Sequence, residues 1–392
     1  MKLVISTATV AAILLNTMAW ATTPGDRATR IARDNIIVDT HIDVPYRIEN
    51  KWDDIGTATS EGDFDYPRAV RGGLNAPFMS IYIPASYEES GGGDALADRL
   101  IDRVEAMVGR APGKFQLAYS VADIERAFRE QRIALPMGME NGTPIGGSFD
   151  KLQHFYDRGI RYITLAHAKS NHIADSSYDK KRQWNGLSPF GKTLIPEMNR
   201  LGIMVDISHV TDEAFYQALT ISKAPIIASH SSLRKFTPGF ERNMSDEMLI
   251  ALAEKGGVLQ INFGSSFITA EANKWKKSLD DEIERLGLED SGKVKEFKDQ
   301  YRIKHPLPYA TLAQVLDHFD HAKNLVGIDH IGIGSDFDGV GDSLPTDLKD
   351  VSFYPQLIQG LLDRGYSEAE IAKILHGNIL RVWREVEEMA AG

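Results

Sequence analysis

The chain has 392 residues, 43% of them hydrophobic, a formal net charge of -11 and no cysteine. That is enough apolar material for one large core. The acidic balance, with acids and bases interspersed, excludes a nucleic-acid surface, and the missing thiols exclude disulfides and thiolate metal ligation.

Residues 1–21 read as a signal peptide. Lys2 gives a basic start, Leu3 to Leu15 is mostly apolar, and Ala19-Trp20-Ala21 supplies the small-x-small pattern of a cleavage site. Cleavage after Ala21 predicts an exported protein, periplasmic or secreted. The longest unbroken apolar run, Val10 to Leu15, is far short of the about 20 residues that span a bilayer, so no membrane anchor is expected in the mature form. Residues 22–392 are expected to form a single domain.

Eight short apolar runs follow, and each leads into a loop. They are Ile36 to Val38, entering His41-Ile42-Asp43; Pro77 to Ile83; Leu135 to Met139, entering Glu140; and Tyr162 to Leu165, entering His167. Next come Met204 to Ile207, entering His209; Pro225 to Ala228, entering His230; Val258 to Phe263; and Ile331 to Ile333, entering Asp336. Helical patterns fall between them: Phe149 to Arg158, Pro189 to Leu201, Asp212 to Ser222, and Asp246 to Glu254 behind the cap Ser245. Ser265 to Thr311 is an insertion whose charged part, Lys274 to Lys304, reads as solvated helices packed outside the core. It precedes the helix Leu312 to Asn324. Ser367-Glu368-Ala369-Glu370 is a capping box opening one C-terminal helix through Met389. The alternation predicts an α/β fold, a (β/α)8 TIM barrel with an insertion between strands seven and eight and a C-terminal helix.

In such a barrel the carboxyl ends of the strands share one face, so residues distant in sequence converge there. His41 and Asp43, one residue apart on extended backbone, point to the same side. Glu140 sits where a buried strand turns out of the barrel, where a bare carboxylate is costly without a partner. His209 and His230 take equivalent ends of adjacent strands, and neutral imidazoles there suit zinc. These five ligands fit two ions sharing Glu140. Asp336, a strand-eight carboxylate facing two metals, is a natural proton acceptor. His318 and His321, three apart on a predicted helix, read as a solvated face, and Arg234 reads as an ordinary loop arginine.

Several segments, taken in order, resemble the membrane (renal) dipeptidase family. They are Val38-Asp39-Thr40-His41-Ile42-Asp43-Val44-Pro45, Gly72-Gly73 before Phe78, Gly138-Met139-Glu140-Asn141-Gly142 and Gly186-Leu187-Ser188-Pro189-Phe190-Gly191. Ile227-Ala228-Ser229-His230-Ser231-Ser232, Gly332-Ile333-Gly334-Ser335-Asp336-Phe337-Asp338-Gly339 and Gly377-Asn378-Ile379-Leu380-Arg381-Val382-Trp383 complete the set. The resemblance implies an amidohydrolase-type barrel with a two-zinc centre: His41 and Asp43 on one zinc, His209 and His230 on the other, Glu140 bridging. It implies a dipeptidase acting through a hydroxide activated by the two metals on dipeptides, including those with a C-terminal D residue, and a possible homodimer. It gives His167 contact with the substrate carbonyl, Asp336 the place beside the reacting water, and Arg242 the grip on the substrate's terminal carboxylate. Gly264 stands where the family leads one to expect a pocket-lining tyrosine, and its missing ring is expected to leave room for the substrate. The alternatives are another barrel hydrolase, acting on a lactone, phosphoester or cyclic amide without a carboxylate clamp, and a non-catalytic binding protein, which would have no use for Asp336.

Overall fold

The computed structural model describes residues 24–391; residues 1–21, expected as a signal peptide, lie outside them. Eight parallel strands form the barrel wall: strand one Val38–Ile42, strand two Ala76–Tyr82, strand three Met137–Glu140, strand four Ile160–Thr164, strand five Met204–Asp206, strand six Ile227–Ser231, strand seven Val258–Ile261 and strand eight Ile331–Ile333. Closure comes just past strand eight. There the N–H of Asp43 donates to Phe337 O at 2.9 Å and the N–H of Asp336 to His41 O at 3.1 Å. The seam that closes the barrel therefore joins two of the loops expected to carry chemistry.

The helices behind strands three to seven begin where small hydroxyl residues can cap them. Ser148, Ser188, Thr211, Ser245 and Thr311 each accept the N–H three residues on, satisfying a donor the first turn leaves free. The insertion between strands seven and eight contains the helices Ser265–Ile268, Ala270–Arg285 and Ser291–Lys304, and the second buries only Ala272 and Leu279. Among the described residues no helix is long and apolar enough to cross a membrane.

Three expectations change. The run Leu135 to Met139 is not one strand: Ile133–Leu135 pairs with Phe115–Leu117 in a separate two-stranded parallel sheet, and strand three starts at Met137. Pro136, with no N–H to give a ladder, marks the switch. The C-terminal helix is interrupted, with a wide turn at Lys373–Gly377 between Glu368–Ala372 and Asn378–Ala391. The extra residue in that turn resets the inward face. Val382, Trp383 and Val386 then pack under Val38, Ala76, Phe78, Ile227 and Val258, at or near the starts of their strands, with the Trp383 and Phe78 rings 5.2 Å apart. The amino end of the barrel is sealed, leaving the carboxyl end as the open one.

His318 is the third. It is fully buried on the inner side of Leu312–Val326, accepting Leu233 N–H at Nδ1 (3.1 Å) and donating from Nε2 to Ile268 O (3.0 Å). It packs in the apolar stripe of Val315, Phe319 and Ala322 and is not on a solvated face.

Candidate metal centre

At the carboxyl end of the barrel the donors meet on Glu140. Its Oε2 lies 3.4 Å from His41 Nε2, while its Oε1 lies 3.1 Å from His209 Nε2, 3.2 Å from His230 Nε2 and 3.4 Å from His167 Nε2. His41 Nε2 is also 3.4 Å from Asp43 Oδ2. One carboxylate thus turns an oxygen to each of two donor sets. Among the described residues, three groupings have ligand atoms within 4.8 Å of one another: His41, Glu140 and His230; Glu140, His167 and His209; and His41, Asp43 and Asp336. Distance alone does not separate the five expected ligands from His167 and Asp336, because all seven side chains share one space.

The local backbone is built for this. His209 and Asp336 have φ of 70° and 64°, and Asn141, next to Glu140, has 77°. Non-glycine residues seldom take this left-handed region, and such strain collects where a side chain must be aimed.

Buried partners set the imidazole tautomers. His41 Nδ1 bonds the Tyr162 hydroxyl at 2.8 Å. Ser229 Oγ donates to Asp206 Oδ2 at 2.6 Å, so it takes its 2.8 Å contact with His230 Nδ1 as acceptor. With its proton on Nδ1, the His230 ring offers the Nε2 lone pair to the centre, as metal-binding histidines do, and the Tyr162 contact turns His41 Nε2 to the same centre. Asp206 is itself held by the N–H groups of Ser208 (3.0 Å) and Ser229 (2.8 Å). His41 Nε2 and Asp43 Oδ1 are buried with no hydrogen-bond partner. Unpaired lone pairs of nitrogen and oxygen, converging in a buried space, fit a divalent cation such as zinc.

The charges agree. Burial and then the Arg242 guanidinium hold His209 well below the usual histidine range, and burial and His41 do the same for His230, so both are neutral. Burial also lowers His167, with Arg242 assisting against the pull of Glu140. Burial opposes a charge on His41, yet Tyr162, Glu140 and Asp43 push it well above its ordinary value; this point of the site favours positive charge. Burial would raise Glu140, but His167, His41, His209 and His230 hold it well below. Asp336 is pushed well above the carboxylate range, chiefly by burial and then by Asp43 and Glu140, while Asn262 Nδ2 donates to its Oδ2 at 2.7 Å.

Arg242 is 3% exposed. Its Nη1 donates to Ser231 Oγ at 2.6 Å and its Nη2 to His230 O at 2.7 Å, with His209 Nε2 3.0 Å from Nη2. Its Nε is buried without a partner. Arg234 is not an ordinary loop residue. It pairs with both Asp212 oxygens (2.6 and 2.7 Å) and donates to Glu241 O (3.0 Å) and Asn243 O (2.8 Å), the two carbonyls flanking Arg242.

Gly264 does not open the pocket. A Cβ there would meet Val340 Cγ1 at 2.8 Å and Phe267 Cδ2 at 3.0 Å, so those side chains already fill the space. His172 bonds Glu88 at 3.0 Å in a groove of about 420 Å³ also lined by Tyr87, Thr143, Lys151 and Phe190; none of the converging donors lines it.

Sequence reasoning passed over Tyr162, Asp206, Ser229 and Asn262. Polarity inside an apolar run was the available signal for Asp206 and Asn262; Tyr162 carried none.

The family model described as membrane dipeptidase, peptidase family M19, matches residues 25–392. An uncharacterized dipeptidase of Schizosaccharomyces pombe is 33% identical over 97% of this chain and 89% of its own length. The dipeptidase tcpJ of Claviceps purpurea is 34% identical over 84% of this chain and 71% of its own. Among solved structures, the probable dipeptidase PvdM of Pseudomonas aeruginosa superposes with a TM-score of 0.79 at 28% identity, covering 93% of this chain and 98% of that one. With its barrel and its converging donors, the chain belongs to the membrane dipeptidase family, peptidase family M19, and is an enzyme of that family.

Proposed function

We propose that this enzyme is a zinc-dependent dipeptidase holding two zinc ions per chain. His41 and Asp43 would hold one ion, His209 and His230 the other, and Glu140 would bridge them. The observation that carries the reading is the Glu140 carboxylate facing two donor sets, with a buried arginine beside one of them. When bound, the ions lower the pKa of water so that hydroxide is available near neutral pH, and they polarise a carbonyl.

The protein's own groups do the rest. Asp336 takes the proton of the attacking water and returns it to the leaving amine, which must be protonated to depart. Its position beside Asp43 and its fixed hydrogen bond from Asn262 suit that exchange. His167 donates a hydrogen bond to the carbonyl oxygen as it gains negative charge; the edge contact with Tyr82, ring centroids 4.9 Å apart, steadies its ring. Arg242 pairs with the free α-carboxylate, which limits the substrate to two residues because a longer chain would push its terminus past the guanidinium. Acceptance of a C-terminal D residue belongs to this reading through the family resemblance; Gly264 lends it no support.

The test compares kcat/KM for an L,D and an L,L dipeptide, the C-terminal amide of each and the tripeptide extended at its C-terminus. The free dipeptides are expected to be cleaved far faster than the others. Equal rates across the set would refute carboxylate gripping and favour a general peptidase or a different hydrolase.

A further inference from the structure

Three aromatic rings, each from the segment that follows a different strand, meet beside Arg242. Tyr178 follows strand four, Phe240 follows strand six and Phe267 follows strand seven. The Arg242 guanidinium carbon lies 5.3 Å from the centre of the Phe267 ring. Phe267 is 5.8 Å from Phe240, Phe240 is 6.0 Å from Tyr178, and Tyr178 is 5.9 Å from the His209 ring. The rings therefore form an arc that starts at the arginine and ends at a metal-ligand candidate. Tyr178 is 44% exposed, and the two phenylalanines are only half-buried. Partly exposed aromatic surface gathered at the mouth of a polar site is what an apolar ligand group covers.

Gly264 makes the arc possible. Because it has no side chain, Phe267 and Val340 close over it: a Cβ at that position would collide with Val340 Cγ1 at 2.8 Å and press on Phe267 Cδ2 at 3.0 Å. Phe267 is then fixed by its backbone: its N–H donates to Gly264 O at 2.8 Å, and its own carbonyl accepts Asn243 Nδ2 at 2.8 Å. Asn243 adjoins Arg242 in sequence, so the ring and the guanidinium are held by the same short segment.

We infer that Phe267, Phe240 and Tyr178 form the subsite for the side chain of the substrate's C-terminal residue, and that the enzyme selects dipeptides ending in a large apolar or aromatic residue. The inference rests on the proposed dipeptidase reading. In an α-amino acid the side chain branches from the carbon bearing the carboxylate. A carboxylate paired with Arg242 therefore delivers its side chain to the ring against which Arg242 itself lies.

The experiment measures kcat/KM of the zinc-loaded enzyme for Ala-Gly, Ala-Ala, Ala-Leu and Ala-Phe. The expected series rises with the apolar area of the second residue, Ala-Phe exceeding Ala-Gly by roughly 10- to 100-fold, the range open to a pocket that buries one large side chain. Phe267→Ala should reduce that ratio about tenfold, and Phe240→Ala or Tyr178→Ala by smaller factors. Should Phe267→Ala not fold, Phe267→Leu, which keeps the volume apolar but removes the flat ring, should give an intermediate ratio. A flat series in the native enzyme, or an unchanged ratio in the Phe267 variants, overturns the subsite while leaving the dipeptidase reading standing. Failure to cleave any dipeptide overturns both.

Discussion

Replacing His318 tests whether the fold's acid sensitivity arises where the structure locates it. Burial, the largest influence, pushes this imidazole down to about 4 against the opposing pull of the Ile268 carbonyl. In the unfolded chain a histidine titrates near about 6.5. Between those values the unfolded state binds the proton and the folded state does not, so stability is fully present above about pH 6.5 and is lost as pH falls toward 4. A gap of about 2.5 pH units at about 1.4 kcal/mol each amounts to about 3–4 kcal/mol, of which roughly 2–3 kcal/mol is lost between pH 7.5 and 4.5. The geometry gives the cause: protonating Nδ1 would set an N–H against the Leu233 N–H that it now accepts at 3.1 Å. Urea unfolding of the native protein and His318→Gln across that pH range isolates the effect, because the other acid-titrating groups are common to both. At pH 7.5 the variant should be less stable by about 1–3 kcal/mol for its poorer hydrogen bonds. By pH 4.5 that gap should narrow by roughly 2–3 kcal/mol. A constant gap would show that His318 titrates like an exposed histidine and would refute the argument. The result bears on the site, because Leu233 lies in the loop that runs from His230 to Arg242.

Four further outcomes are expected. Purified protein should contain close to two zinc per chain, and Glu140→Gln should lower the occupancy of both ions; one tightly held ion indifferent to that change would refute the bridge. Asp336→Asn should keep most of the metal and lower kcat by roughly 10²-fold or more, so near-normal turnover would send the proton elsewhere. Arg242→Ala should cost several kcal/mol in kcat/KM for dipeptides and much less for their C-terminal amides, and an equal loss on both would show that the arginine does not read the carboxylate. Mass spectrometry of exported protein should find Thr22 at the mature N-terminus, whereas a retained Met1 would refute cleavage after Ala21.

The seven side chains of the centre could be read from the sequence for a reason rooted in the fold. Parallel strands deliver their last residues to one rim, so a polar residue at the end of an apolar run has few places to go, and Glu140, His209, His230 and Asp336 needed only that rule. The residues that orient them obey no such rule. Asp206 and Ser229 sit on neighbouring strands and matter through a hydrogen bond across the sheet, and Tyr162 reaches His41 from strand four to strand one; each contact requires the strand order and register to be known. His318 is different, because its signal was present. Val315, Phe319 and Ala322 surround it at helical spacing, so the stripe that predicts an inward face includes the histidine itself. Gly264 marks the limit from the other side. A glycine in a loop reports a missing side chain, and space follows only if no neighbour moves in. Val340, arriving from the loop after strand eight, and Phe267 both do, so a Gly264→Ala substitution should act by displacing Phe267 from Arg242 rather than by narrowing an open pocket.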